Sequence, residues 1–332
     1  MSTALIIGVS SQDGSYLADL LLDKGYDVIG TVRRSTNFYL ENTRHLIGKI
    51  RVEAADLTDS ESLARLLRHY QPDEVYNIAA QSVPADSWSH PYYTGEVTGL
   101  GAVRVFEAVR LHAPAARVYQ ATSREIFGNI SGVATEATPI DANNPYGIAK
   151  AYAHMMTHCY RDSFGLFACA GILFNHESPR RSLHFVTRKI TVAVACIKNR
   201  VKTPPLNELG EPLVSPAGKL KLGWLESQRD WGYAPEYVDA MWRMLQNDTP
   251  KDYVIGTGVS HTVADVCRIA FAHVGLDWQD HVVTDEQLLR PTEIETLVGN
   301  YRLAQQELNW QPQTSFAELI GLMVDADLDR FH

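Results

Sequence analysis

Residues 4–14 read ALIIGVSSQDG, an apolar run followed by a turn with a glycine at each end. The run is typical of a buried strand, and from Gly14 onward apolar side chains recur at helical spacing. Gly8 would permit the tight turn, Gly14 would let the helix pack on the strand, and Ser11 replaces the usual middle glycine. A plain strand–helix turn is the alternative interpretation. Because a helix N-terminus attracts phosphate, we predict a dinucleotide-binding site formed by Gly8, Ser10, Ser11, Gln12, Asp13 and Gly14.

Strand-like and helix-like segments alternate through the first 175 residues. The predicted strands lie at residues 4–8, 27–31, 50–54, 74–78, 117–121 and 166–174. The predicted helices between them include residues 14–24, 59–69 and 97–111. This alternation predicts the α/β class and a Rossmann-type, doubly wound parallel sheet that is covered on both faces.

The pattern changes after about residue 176, where helices at 235–245 and 262–273 are separated by loops. Residues 202–219 are rich in proline and glycine, and we expect them to form an excursion on the surface. We therefore expect a dinucleotide-binding domain at residues 1–175 and a smaller, mainly substrate-binding region at 176–332. Some strands and helices of the second region can return to the first sheet.

Composition limits the classes of function. The chain has 332 residues, of which 45% are hydrophobic and 21% charged, as in ordinary globular proteins. Its net charge of −9 argues against a nucleic-acid surface. No apolar run approaches the length of a membrane span, and residues 1–7 are typical of a strand rather than a signal peptide. The four cysteines lack paired spacing, which favours reduced thiols and a cytoplasmic location.

The end of the second strand indicates which nicotinamide cofactor is expected. A site that selects NAD has a carboxylate there, whereas this strand runs into Arg33, Arg34 and Ser35. Two guanidinium groups suit a 2′-phosphate, so the sequence predicts NADP; a solvated basic loop is the alternative. After the third strand, Asp56 and Leu57 are expected to cap the adenine; after the fourth, the small residues Ala79 and Ala80 are expected to line the cofactor backbone.

Two short segments carry the candidate catalytic residues. Tyr146 and Lys150 are four residues apart on a predicted helix, so both side chains lie on one face. There the lysine ammonium can favour the phenolate, a base able to take the proton of a sugar hydroxyl while hydride leaves the same carbon. The carboxylate of Glu125, two residues after Ser123, suggests a step after the oxidation. Without the dinucleotide motif, an ordinary exposed Tyr–Lys pair would be the simpler reading.

Further motifs follow in order, at residues 14–18, 32–35, 80–82, 171–181, 185–189, 229–232 and 290–293. With them the chain resembles the extended short-chain dehydrogenase/reductases and, within these, the GDP-mannose 4,6-dehydratase family, over about residues 4–327. The resemblance implies a hydro-lyase that converts GDP-mannose to GDP-4-keto-6-deoxymannose by transient oxidation at C4, water loss across C5–C6 and hydride return to C6. It also implies bound NADP, a GDP-hexose substrate and a homodimer or homotetramer.

The resemblance also assigns roles to single residues. The family's catalytic Thr, Glu, Tyr and Lys fall on Ser123, Glu125, Tyr146 and Lys150. Additional cofactor contacts fall on Gln81, Ser82, Tyr93, His176 and Arg181, with Tyr93 expected near the nicotinamide ribose. Ser82, Ser123 and Glu125 are also expected to contact the sugar. The remaining substrate contacts fall on Asn175, Lys189, Arg229, Arg290 and Glu293.

The chain departs from the family pattern at Arg124, where serine is usual, and at Ser182 and Trp224. Strand alternation predicts that Arg124 turns away from Ser123 and Glu125 and carries no chemistry. The departures keep open an NADP-dependent reductase or epimerase acting on another nucleotide sugar, and a non-catalytic NADP-binding protein. His154 and His158 have the i, i+4 spacing of a zinc helix but no recognisable third ligand, so no metal is expected.

Overall fold

The computed structural model of the chain describes residues 1–33, 41–288 and 296–332. Its strands in chain order are β1 (Thr3–Ile7), β2 (Asp27–Val32), β3 (Arg51–Ala54), β4 (Glu74–Asn77), β5 (Arg117–Ser123), β6 (Gly132–Ala134), β7 (Ala168–Leu173), β8 (Asn175–Glu177), β9 (Leu220–Leu222), β10 (Gln228–Tyr233), β11 (Tyr253–Ile255), β12 (Ser260–Thr262), β13 (Val282–Thr284) and β14 (Leu297–Gly299).

The α-helices in chain order are α1 (Gln12–Asp23), α2 (Ser60–Tyr70), α3 (Pro84–Ser87), α4 (Pro91–Thr94), α5 (Gly101–His112), α6 (Pro145–Phe164), α7 (Val186–Lys198), α8 (Ala234–Gln246), α9 (Val263–His273), α10 (Arg302–Leu308) and α11 (Phe316–Arg330). Short 3-10 turns lie at Glu41–Leu46, Arg124–Phe127, Trp278–Asp280 and Glu286–Leu288, and a π-helical turn at Gly95–Leu100 joins α4 to α5.

Seven of these strands form one parallel sheet in the order β3-β2-β1-β4-β5-β7-β11. The order reverses direction between β1 and β4, which is the doubly wound arrangement. Apolar side chains of α1 and α8 pack on one face of the sheet, and those of α2, α5 and α6 pack on the other. The predicted fold class is therefore confirmed, and each of the six predicted strands lies within two residues of an observed one.

The second half of the chain contributes to this sheet. β11 pairs with β7, placing Tyr253 opposite Gly171, and α8 packs beside α1. Another part of the second half is built on a small sheet of order β12-β10-β8, with α7, α9 and α11 around a separate apolar core. Because β8 follows β7 after one residue, this small sheet is attached directly to the large one.

The helix predicted at residues 97–111 begins differently from the expectation. The chain enters it through α4 and the π-helical turn, and regular α-helix starts only at Gly101. Glycines allow this close packing, since a Cβ at Gly101 would lie 2.9 Å from the Leu57 side chain. Within the described ranges, the helices are too short or too polar to cross a membrane.

Candidate active site

A cleft of about 500 Å³ opens at the carboxyl ends of the central strands. In a doubly wound sheet this edge is where ligands bind. Thirteen of the predicted site residues line it: Ser10, Ser11, Gln12, Asp13, Ala80, Ser82, Ser123, Glu125, Tyr146, Lys150, Asn175, His176 and Arg181. The structure therefore brings together residues that are up to about 170 positions apart in the chain.

The glycine turn after β1 has the geometry that a dinucleotide requires. Gly8 has φ +99°, a conformation that favours glycine, and a Cβ at Gly14 would lie 2.4 Å from the Gly8 carbonyl oxygen. Ser11 caps α1: its Oγ accepts from the Gly14 amide at 3.0 Å and donates to the Gly8 carbonyl at 2.9 Å. The serine thus completes the turn by hydrogen bonds, and the first turn of α1 faces the cleft.

Asp13 and His176 form a buried ion pair on the floor of the cleft. His176 Nε2 lies 2.9 Å from Asp13 Oδ2, and its Nδ1 lies 2.8 Å from the Phe174 carbonyl oxygen. Since both partners are acceptors, both ring nitrogens carry protons. Burial opposes these charges, but the pairing outweighs it, lowering the pKa of Asp13 to about 2 and raising that of His176. The pair joins α1 to β8.

Tyr146 and Lys150 are both buried on the cleft side of α6, as their spacing predicts. Burial raises the pKa of the Tyr146 phenol well above its usual value, and hydrogen bonding with Ser123 opposes that rise. Lys150 Nζ lies 5.8 Å from the Tyr146 ring centroid and donates to the Ala121 carbonyl at 2.8 Å. Burial lowers the pKa of Lys150 to about 8. The Ser123 hydroxyl therefore lies close enough to the phenol to influence its pKa, whereas Lys150 is bonded to the Ala121 carbonyl.

Glu125 is held by a residue that the sequence analysis missed. Asn144 Nδ2 donates to Glu125 Oε2 at 2.9 Å, while Asn144 Oδ1 caps α6 by accepting from the Gly147 amide at 2.8 Å. Gly147 permits this approach, because a Cβ there would lie 2.6 Å from the Glu125 carbonyl oxygen. An asparagine just before Pro145 signals a helix start, but its second contact depends on the tertiary fold.

The expectation that Arg124 turns away from Glu125 is wrong. Arg124 NH1 lies 3.3 Å from Glu125 Oε1, NH2 donates to the Gly128 carbonyl at 3.2 Å, and the residue is 3% exposed. The alternation of a strand does not apply here, because β5 ends at Ser123 and the next residues form a 3-10 turn. Arg124 also lines the cleft.

A second cavity of about 200 Å³ adjoins the cleft and shares Pro84, Asn175 and Phe185 with it. Two predicted substrate residues, Lys189 and Arg229, line this cavity, as does the exposed Trp224. The segment at residues 202–219 reaches it through Glu208, which forms an ion pair with Lys189. Two positively charged side chains therefore line a cavity that adjoins the cleft of the catalytic groups.

Of the remaining predicted cofactor residues, those that the structure describes lie outside the cleft lining. Arg33 NH1 donates to the Tyr93 hydroxyl at 2.7 Å, so the Tyr93 hydroxyl lies near the end of β2. Its contact with the nicotinamide ribose stays a prediction. Asp56 accepts from Thr58, and Gln81 donates to the Val83 carbonyl. These residues also include Gly8 and Gly14, which form the close-packed turn after β1, Ala79, which packs against Gly8, and Leu57, which packs against Gly101. Arg34, Ser35, Arg290 and Glu293 lie outside the described residues.

The zinc-like histidine pair has an acidic neighbour that the sequence did not reveal. His158 Nε2 lies 2.5 Å from Asp252 Oδ2, and His154 packs edge-on against His158. Asp252 is also bound by both terminal nitrogens of Arg161, at 3.0 and 2.9 Å, and by the Ala170 amide. The cluster lies at the start of β7, away from the cleft, and anchors α6 to the sheet.

The model of the family "GDP-mannose 4,6 dehydratase" matches residues 5–323. GDP-mannose 4,6 dehydratase 1 of Arabidopsis thaliana is 45% identical, over 98% of this chain and 90% of the relative. The human GDP-mannose 4,6 dehydratase is 40% identical, over 99% and 92% of the two chains.

Solved structures share the architecture at lower identity. A UDP-glucose 4-epimerase of Thermotoga maritima, crystallised with UDP-glucose, superposes with a TM-score of 0.85 and 21% identity over 99% of this chain and 100% of its own. The enzyme RMD of Pseudomonas aeruginosa, complexed with NADPH, has a TM-score of 0.81 and 16% identity over 99% and 100% of the two chains. At these identities the likeness establishes the fold.

Proposed function

The chain belongs to the GDP-mannose 4,6-dehydratase family, and from this premise we propose that it is a hydro-lyase that converts GDP-mannose to GDP-4-keto-6-deoxymannose. The observation that carries the proposal is the grouping of Ser123, Glu125, Tyr146 and Lys150 around one cleft. A base for a hydroxyl and a separate carboxylate for a carbon acid are what oxidation followed by elimination needs.

A bound nicotinamide dinucleotide fits the cleft of this protein. The turn at Gly8 and Gly14 has no room for side chains, and the capped N-terminus of α1 faces the cleft, which suits a pyrophosphate. When bound, the nicotinamide would supply hydride exchange with the sugar carbons. Related folds crystallised with NAD or NADPH support this class of cofactor. We propose NADP in particular, because Arg33 at the end of β2 places a guanidinium where a 2′-phosphate would lie.

Tyr146 would take the proton of the C4 hydroxyl in the first step. Ser123, which hydrogen-bonds with the phenol, would orient the C4 oxygen and stabilise negative charge on Tyr146. The buried ammonium of Lys150, held on the Ala121 carbonyl, would add a positive field beside the ring. The result of this step is a 4-keto sugar, whose carbonyl acidifies the hydrogen on C5.

Glu125 would act in the second step. Its carboxylate takes the proton from C5, the electron pair of the C5–H bond forms the C5–C6 double bond, and the C6–O bond breaks. The same proton then passes from Glu125 to the departing hydroxyl, which leaves as water. The carboxylate is regenerated, so atoms and charge balance within the site.

The second cavity would hold the nucleotide part of the substrate. Asn175 lies at the junction of the two spaces, and Lys189 and Arg229 line the far side, where a diphosphate would meet them. Arg290 and Glu293, outside the described residues, are proposed to contribute to the nucleoside contacts. We also propose a cytoplasmic location, in keeping with four free cysteines, and a homo-oligomer.

The direct test is incubation with GDP-mannose and a catalytic amount of NADP⁺, followed by mass spectrometry. We expect a product lighter by one water, without net reduction of the cofactor. Conversion without water loss would instead support the reductase or epimerase alternative, which the close pairing of Arg124 with Glu125 keeps open. No conversion of any nucleotide sugar would contradict both.

A further inference from the structure

Arg124 occupies an unusual environment for a guanidinium beside a proposed catalytic base. It is 3% exposed, and its Nε has no hydrogen-bond partner among the described residues. Its NH2 is anchored on the Gly128 carbonyl at 3.2 Å, in a turn where Gly128 has φ +67° and packs against the Asp141 carbonyl. The turn requires glycine at this position, because a Cβ at Gly128 would lie 1.9 Å from the Asp141 carbonyl oxygen.

The two oxygens of the Glu125 carboxylate have different partners. Oε1 lies 3.3 Å from Arg124 NH1, and Oε2 accepts from Asn144 at 2.9 Å. One partner is fixed to the turn after β5 and the other to the N-terminus of α6, the helix that carries Tyr146. The carboxylate is thereby held between two elements, with the Arg124 guanidinium at one oxygen and the Asn144 amide at the other.

We propose that Arg124 is a positioning residue for the elimination step: together with Asn144 it clamps the Glu125 carboxylate in the orientation from which it removes the C5 proton. The inference rests on the proposed function. The hydride step at C4 depends on Tyr146 and Ser123, which no Arg124 contact holds, so the clamp affects only the second half of the reaction. A buried carboxylate that loses its counter-charge is free to rotate or to take a proton from elsewhere.

The test compares the rates of oxidation at C4 and of water loss in the Arg124→Ser variant, which lacks the guanidinium contact with Glu125. Single turnovers with GDP-mannose are followed by nicotinamide absorbance for oxidation at C4 and by mass spectrometry for water loss. We expect oxidation at the wild-type rate, accumulation of reduced cofactor, and water loss slowed about a hundredfold, the effect of a misplacement of about 1 Å. Arg124→Lys, which keeps the charge, should recover part of the lost rate.

Two controls separate positioning from general damage to the fold. Arg161→Ser removes a different, partly buried arginine, paired with Asp252 away from the cleft, and should leave the ratio of the two rates unchanged. A double-mutant cycle of Arg124→Ser and Glu125→Gln, measured by unfolding without substrate, should show coupling, because either single change leaves one buried charge unpaired.

The outcomes are distinguishable. Equal slowing of both half-reactions in Arg124→Ser, or water loss at the wild-type rate, overturns the proposal. If the wild-type protein forms no product at all, the proposed function fails instead, while the unfolding cycle still reports whether the clamp exists. Absence of coupling in that cycle contradicts the clamp independently of any activity.

Discussion

Glu125 and Tyr146 act on different bonds in the proposed reaction, so removing each should block a different step. Glu125→Gln should form the 4-keto sugar and reduced cofactor but lose no water, since the amide cannot accept the C5 proton. Tyr146→Phe should stop at the substrate. Substrate deuterated at C4 checks both, by transfer of the label to the cofactor. A Glu125→Gln variant that transfers no label would show that the roles are assigned wrongly.

Asn144 has two contacts that can be tested separately. Asn144→Ala removes the cap of α6 and the donor to Glu125, and should lower the free energy of unfolding by about 1 kcal/mol and slow water loss. Asn144→Ser keeps a capping oxygen but cannot reach Glu125, so stability should recover while the rate stays low. Denaturant titration and single-turnover rates are the measurements. Recovery of both in the serine variant would show that the Glu125 contact has no role in catalysis.

Arg33 bears on the choice between NADP and NAD. We expect wild-type protein to bind NADP more tightly than NAD, and Arg33→Glu to weaken NADP while leaving NAD binding nearly unchanged, because the new carboxylate repels a 2′-phosphate. Isothermal titration calorimetry gives both dissociation constants. Tyr93→Phe, which removes only the hydroxyl that Arg33 contacts, is the matched control. Equal affinities for the two cofactors in the wild-type protein would contradict the prediction.

At the scale of single residues, the sequence was sufficient to predict which side chains share a face where they lie on one regular helix. It was insufficient for side chains outside such an element. Tyr146 and Lys150 share a face because a helix has a fixed period. Arg124 was placed on the wrong side because the strand ends one residue before it and a 3-10 turn replaces the alternation. The contact of Asn144 with Glu125 joins residues 19 positions apart, and no local pattern encodes it.

At the scale of elements, the ion pair of Asp13 and His176 ties α1 to β8 and should make stability depend on pH. The pKa of His176 is raised above its ordinary value of 6.5, so its contribution is complete below that pH and is lost as pH rises through the raised pKa. The pKa of Asp13 is lowered to about 2, so its contribution persists until strongly acidic pH. The pair therefore stabilises most between about pH 4 and pH 6.5.

Asp13→Asn should accordingly lower the melting temperature more at about pH 6 than at alkaline pH above the raised pKa of His176, where the imidazole is neutral in wild-type protein as well. Thermal unfolding at the two pH values without ligand is the measurement. Asp23→Asn serves as control, since it removes an exposed acid of the same helix. An equal difference at both pH values would show that His176 is not charged in the folded protein.

The six strands of the first half were predictable because each has enough residues to show a hydrophobic pattern in the sequence. β8 and β11 have three residues each, too few to show alternation, so their membership of a sheet depends on what surrounds them. The π-helical turn before α5 was missed for a similar reason. Its wide backbone follows from close packing at Gly99 and Gly101 against α6 and Leu57, which are tertiary contacts.

At the scale of the whole molecule, the outer face of α6 bears on the proposed homo-oligomer. Ile148, Tyr152 and Met155 lie on one side of this helix and are 56%, 41% and 59% exposed. A second copy of the chain would bury this apolar stripe. Tyr152→Glu should convert the oligomer to smaller species in light scattering after gel filtration, whereas Leu322→Glu, at an exposed leucine on α11, should not. A monomeric wild-type protein would contradict the proposal.

The path of the chain back into the large sheet has a consequence for how such proteins diversify. Since β11 and α8 complete the sheet and its covering layer, recombination at a single point near residue 176 would give a hybrid whose edge strand and covering helix come from a foreign parent. Exchanging whole halves between two related chains would therefore disturb the packing of the core. Insertions in the connections between elements leave the packing of the core unchanged. The segment at residues 202–219 brings Glu208 to the second cavity in this way, without altering the seven-stranded sheet. The route open to new substrate preference in this architecture is thus local lengthening of connections, not shuffling of domains.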